Sequence, residues 1–280
     1  MQIHWPLVIS TTCQRVGLGM YLCALLINWT SGTALPMNVV SLAAIVFLGI
    51  GGVASVFHLQ SPSRFFNAFS NLGSHLTQEA LITPFLGIAL LACGLNGFLF
   101  DIGAASFALE AAAGALALAF LVCTGLAYQM RSRPAWNTKF IIVLFLLTAA
   151  EAGSVATMAA CLGLGIAIPD TLAATTITCF VLCALTQIAY TRRMRSVGYG
   201  VNVHAAERPY RTPYIAWIAS GIVGTGAGIS LALLLSSFEG AAFALAASAL
   251  GIASWTVLFF KGALKAKMLP MYPVDLNLDI

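Results

Sequence analysis

Between Phe57 and Glu79 the chain reads FHLQSPSRFFNAFSNLGSHLTQE, a polar window that a mere connection between apolar segments does not explain. It gathers His58, Arg64, His75 and Glu79 in a sequence that is only 8% charged. Imidazoles and carboxylates exchange protons, and a guanidinium holds an oxygen acceptor in place. Reducing a quinone, or oxidising a quinol, moves two electrons and two protons. This set therefore suits the edge of a quinone site, with a redox centre nearby to handle the electrons. Arg64 follows His58 by six residues, with Pro62 fixing the turn between them. Gln14 and Arg15, neighbours in the first apolar stretch, could reach the same edge and add hydrogen-bonding capacity. Taken singly, an interfacial His58 and a helix-start Glu79 are ordinary, since a carboxylate favours a helix N-terminus. Their company raises them.

The elements that must position these residues are membrane helices. Hydrophobic residues make up 60% of the 280, and 13 Lys and Arg face only 9 Asp and Glu; mean hydropathy is +0.94. Those values exclude an ordinary soluble domain. A span needs about 20 apolar residues to cross roughly 30 Å of hydrocarbon. Eight such stretches are expected: Pro6 to Trp29, Val39 to Phe57, Ala80 to Leu99, Ala104 to Tyr128, Lys139 to Leu164, Leu172 to Tyr190, Tyr214 to Phe238 and Ala241 to Phe260. The expectation is one all-α polytopic membrane domain over residues 1–280, eight transmembrane helices in two four-helix bundles. The N-terminal MQIHWPLVIS lacks the features of a removable signal, so the first stretch is expected to remain as a helix. Trp5, Trp29, Trp136, Tyr128, Tyr190, Tyr214 and Tyr272 fall near span ends, where amphipathic rings favour the headgroup region.

Charge orients the bundle. Apart from Arg15, every Lys and Arg lies in or beside the connections after spans 2, 4 and 6, or in the C-terminal tail. The opposite connections carry only Asp101, Asp170 and Glu239. The positive-inside rule then places both termini and the Phe57–Glu79 edge in the cytoplasm. The arginines flank spans in a one-sided band, which argues against nucleic acid and for topology or the docking of a cytoplasmic partner.

Other constellations are weaker. His4, His58, His75 and His204 all lie outside span interiors, so a haem held between two histidines inside the bundle lacks ligands. The seven cysteines fall in apolar runs without a CxxC pair and read as packing. No metal is expected on this chain. Intramembrane polar groups are functional candidates by default: Arg15, Glu110, Glu151 and Gln187. Glu151, midway along span 5, is a proton-transfer candidate beside His58 and Glu79. Together these four could instead line the path of a proton-coupled small-molecule transporter. That reading stays open at this point, as does a scaffold without redox work.

Three ordered motifs carry a resemblance. HWPLVISTTCQ at the start, ASVFHLQSPSRFFNAFSNLGSHLTQE around spans 2 and 3, and RSRPAWNT after span 4 resemble the membrane-anchor subunit of the dimethyl sulfoxide reductase family over about the first 145 residues. The resemblance implies a haem-free, non-catalytic anchor with eight helices. It also implies two partners, an iron–sulfur subunit with four clusters and a molybdopterin catalytic subunit, which hold all the metal. Quinone or quinol, with menaquinone the type expected, reacts at the anchor beside the nearest cluster. His58 falls on the family's quinol-site histidine, Glu79 on its acidic residue, Arg64 and Asn67 on the motif's arginine and asparagine, and Gln14 on the first-helix glutamine. TQEA replaces the NEI-like motif at Glu79. The basic face departs from members with exported catalytic subunits and places the partners in the cytoplasm of a bacterial or archaeal cell, at its cytoplasmic membrane.

Overall fold

The computed structural model describes residues 5–32, 35–57, 69–130, 133, 135–196 and 211–262. These form eight long helices: α1 (Trp5–Ser31), α2 (Met37–Val56), α3 (His75–Leu95), α4 (Ala105–Ala127), α5 (Phe140–Gly163), α6 (Asp170–Ser196), α7 (Arg211–Leu235) and α8 (Phe238–Gly262). The all-α, eight-helix expectation holds. Seven of them are long and apolar enough to cross a membrane. The exception is α1, long enough at 27 residues but polar from Ser10 to Arg15.

Packing explains how α1 tolerates that polarity. α1 packs on α2 and α4, α2 on α3, and α3 on α4, closing one ring of four; α5, α6, α7 and α8 close a second in the same way. The rings meet mainly along α1 and α5. α5 is 67% buried along its span, against 22–33% for α2, α3, α4, α6 and α7, and most of α1 is buried too. At the seam the backbones touch. A Cβ on Gly19 would fall onto the Ala149 carbonyl, and one on Gly153 onto the backbone of Gly19. Small residues at a helix contact permit this approach where lipid supplies no hydrophobic drive for association.

Several boundaries differ from expectation; α6, for one, runs on to Ser196 rather than ending at Tyr190. α3 begins at His75 rather than Ala80, so His75, Gln78 and Glu79 stand in its first turns; polar residues there join the helix because its first N–H groups and positive end favour them. It stops at Leu95, where the chain turns through Gly97 at φ +84°. α7 and α8 are joined by two residues, with Ser236 left-handed at φ 49°. Within α7, Trp217–Gly224 is π-helical, an extra residue per turn that hydropathy does not reveal.

The aromatic anchors divide. Trp5, Trp29 and Tyr214 are exposed as expected, but Trp136 and Tyr190 are buried. Trp136 stacks on Phe259 at 4.9 Å and donates from Nε1 to the Phe259 carbonyl at 3.3 Å. The Tyr190 hydroxyl donates to the Ala135 carbonyl at 2.8 Å. Their polar tips are satisfied inside the protein, so neither ring needs the headgroup region. Tyr272 lies outside the described residues.

Candidate functional site

Three of the expected quinone-site residues, His58, Arg64 and Asn67, lie outside the described residues. Gln14, Arg15 and Glu79 are described, and they occupy different walls of one end of the molecule, where α1 and α3 begin and α4 ends.

Gln14 lies nine residues into α1, about 14 Å at 1.5 Å per residue. It is 6% exposed and packs against α2 at Gly51, where a Cβ would come within 2.9 Å of Gln14 Cγ and 3.0 Å of the Ser10 carbonyl. Glycine there lets the glutamine lie flat on α2. The amide makes no hydrogen bond to a described residue. Thr12, two residues earlier, has a buried Oγ1 that is likewise without a partner among the described residues. Buried polar groups are normally paired, so an open carboxamide on this wall suits a ligand oxygen.

Glu79 sits one turn into α3, half-buried, its carboxyl facing the Thr124 hydroxyl on α4. No cation pairs with it among the described residues. His75 does not reach toward it: its Nδ1 bonds Gln78 Oε1 at 3.0 Å, and Gln78 Nε2 donates to the Leu72 carbonyl at 3.3 Å. Since an amide oxygen only accepts, His75 carries its proton on Nδ1.

Tyr128, just past the end of α4, joins the walls. Its ring stacks on Phe145 at 5.3 Å and meets Trp136, Phe259 and Phe260 at their edges. Burial and then the nearby Glu79 push its phenol above the ordinary range, while Arg15 pulls the other way. The hydroxyl therefore stays protonated, and it makes no hydrogen bond to a described residue. In the sequence Tyr128 marks only a span boundary and Thr124 carries no signal; a tyrosine beside an arginine-bearing loop gives no local cue.

Arg15 is 1% exposed and held entirely by neutral groups. Nε donates to the Thr11 carbonyl at 2.8 Å, Nη1 to Thr148 Oγ1 at 3.2 Å, and Nη2 to Thr11 Oγ1 at 3.1 Å and Thr256 Oγ1 at 2.9 Å. The guanidinium also lies over the Phe145 ring, 4.6 Å from its centroid. It crosses the seam, joining α1 to α5 and α8. No carboxylate pairs with it among the described residues. Among the described residues its hydrogen bonds all go to threonines of α1, α5 and α8.

The four groups of the transporter reading have different surroundings among the described residues. Arg15 is enclosed by its threonines. Glu110 stands near the opposite end of α4, where its carbonyl accepts from Tyr21 at 3.0 Å. Glu151 and Gln187 line one small cavity in the second ring.

Against this geometry, the family model described as DMSO reductase anchor subunit (DmsC) matches residues 1–273. The chain belongs to the DMSO reductase anchor subunit family. The likeness thus runs through the second ring and well past residue 145, where motif reading had it fade. A search of curated proteins finds no match. As a DMSO reductase anchor subunit it is a multi-pass membrane protein, and the family implies assembly with catalytic and iron–sulfur subunits. Among the described residues no three His, Cys, Asp or Glu side chains of the anchor gather as a metal site.

Proposed function

We propose that this anchor is the haem-free, quinone-reactive subunit of a molybdenum iron–sulfur oxidoreductase. It exchanges electrons between the quinone pool, menaquinone in type, and a docked iron–sulfur subunit with four clusters, whose partner carries molybdopterin. The observation that supports this reading is the polar wall: a Gln14 amide 6% exposed and without a hydrogen bond to a described residue, and a half-buried Glu79 with no cation beside it among the described residues, at the end of the bundle from which the Phe57–Glu79 connection springs.

Each residue then has a chemical duty. His58 and Glu79 exchange the two protons that accompany the two electrons, general acid–base work worth roughly 10²–10⁴-fold in rate. Gln14, Arg64 and Asn67 hold the quinone oxygens. Tyr128, kept protonated by its burial, offers a donor beside Glu79, and Arg15 supplies positive charge behind it. The electrons pass to the nearest cluster of the docked partner; nothing in this arrangement favours one direction over the other. The basic connections dock the partners on the cytoplasmic face of the cytoplasmic membrane, with both termini on that side.

The test uses the assembled complex. His58→Ala should abolish quinone-linked turnover while an artificial electron donor still drives the catalytic subunit at the normal rate and all subunits copurify. Normal quinone-linked rates would remove His58 from the chemistry. For orientation, alkaline phosphatase fused after Ile280 should be inactive in cells, and an active fusion would overturn the cytoplasmic placement.

A further inference from the structure

The second ring contains a polar cluster that the quinone edge does not use. Glu151 on α5 is 4% exposed at mid-helix, and Ser248 on α8 donates to its Oε2 at 3.0 Å. No Lys, Arg or His pairs with this carboxyl among the described residues. An isolated carboxylate in such surroundings is an uncompensated charge, so the site accommodates the acid form. Gln187 on α6, 5% exposed, receives at Oε1 the indole N–H of Trp217 at 2.7 Å. Indole only donates, which fixes the carboxamide orientation and leaves Nε2 without a partner among the described residues.

Glu151, Gln187, Ser248 and Cys183 line a common cavity of about 10 Å³. Its wall on the side of α7 and α8 is the contact of Gly221 with Gly251, where a Cβ on Gly251 would fall onto Gly221. Gly221 belongs to the π-helical turn Trp217–Gly224, within which Trp217 is placed to donate to Gln187. π-turns recur at functional positions. A volume of this size is that of a single water, which needs two to four polar partners.

We infer that this cavity is a binding site for one water molecule, held between Glu151 and Gln187, through which the Glu151 carboxylic acid exchanges its proton. The water accepts from the acid O–H and from Gln187 Nε2. A metal cation does not suit the place, because Gln187 turns donors, not its oxygen, toward it. Once the water is present, the acid O–H and Gln187 Nε2 each have a partner. The site lies in a different ring from Gln14 and Glu79 and stands independently of the quinone reading.

Infrared spectroscopy of the full chain in detergent tests this. The difference between the wild type and Glu151→Gln isolates the Glu151 carbonyl stretch. It should fall in the carboxylic-acid region and shift on transfer to D2O. Gln187→Leu removes the donor on the far side of the water: the band should move toward that of an unbonded acid, and its deuterium exchange should slow on the order of tenfold, as expected for one lost hydrogen bond. Ser248→Ala should move the band but leave the exchange rate unchanged. If Glu151→Gln does not purify as a single species, the Gln187→Leu minus wild-type spectrum carries the same band. A carboxylate stretch in place of the acid band would overturn the proposal, as would a band indifferent to both D2O and Gln187→Leu.

Discussion

The two rings of four helices hold their polar residues in opposite ways. In the second, buried polar side chains close on one another or on backbone carbonyls, with Gln187 Nε2 left for the proposed water: Ser248 on Glu151, Trp217 on Gln187, Tyr190 on the Ala135 carbonyl. In the first, Gln14 and Tyr128 present polar atoms without described partners, and Glu79 faces the Thr124 hydroxyl with no cation beside it among the described residues. A closed network holds a fold in one arrangement. An open one of the same residue types is suited to a guest. The seam between them is backbone on backbone at Gly19 and Gly153, so the open ring is braced by the closed one.

The largest effect should come from prying the rings apart. Gly153→Leu puts a side chain where the Gly19 backbone lies, costing at least the ~1–3 kcal/mol of an overpacked core. The variant should not be recovered as a monodisperse species by size-exclusion chromatography; normal recovery and melting would show that the seam yields. Next, Glu79→Gln should lower quinone-linked kcat by roughly 10²–10⁴-fold with subunit assembly intact. A rate within twofold would mean that the open ring does no proton chemistry there.

Arg15→Met sharpens the contrast, because the three threonines that hold the guanidinium each keep a bond to their own helix: Thr11 to the Leu7 carbonyl, Thr148 to Leu144 and Thr256 to Ile252. Removing Arg15 therefore orphans no donor. Replacing a buried charge by an apolar side chain of similar volume is often neutral or stabilising. The melting temperature should hold or rise. Quinone-linked turnover should still fall roughly tenfold, the worth of a unit charge about 10 Å away at an effective dielectric near 20. A large drop in melting temperature would instead make Arg15 a structural clasp. The smallest effect belongs to Gln14→Leu. One hydrogen bond of about 0.5–1.5 kcal/mol should raise KM for quinone about three- to tenfold and leave kcat unchanged.

Much of this was legible in the sequence. Apolar length gave all eight helices, α1 among them, and the polar run in Phe57–Glu79 marks the end of the bundle at which α2 stops and α3 begins. What escaped depended on residues far apart in the chain. The hydroxyls that hold Arg15 come from 133 and 241 residues away, so no local spacing announces them. Trp136 and Tyr190 near span ends read the same whether they face headgroups or one another. The start of α3 was read late because His75, Gln78 and Glu79 depress hydropathy, although a helix N-terminus welcomes them. The π-turn of α7 arises from how Gly221 meets Gly251, and composition carries no trace of that.

The helix least suited to lipid is also among those most enclosed by protein. During synthesis α1, with Gln14 and Arg15 in its first half, is made four spans before α5, which walls in its Arg15. Hydropathy alone gives α1 a weak claim on the bilayer. Its final seat is assembled around it afterwards by α2, α4, α5 and α8. Assembly of this subunit thus runs from the inside out: the polar face of α1 is covered only as the later helices arrive.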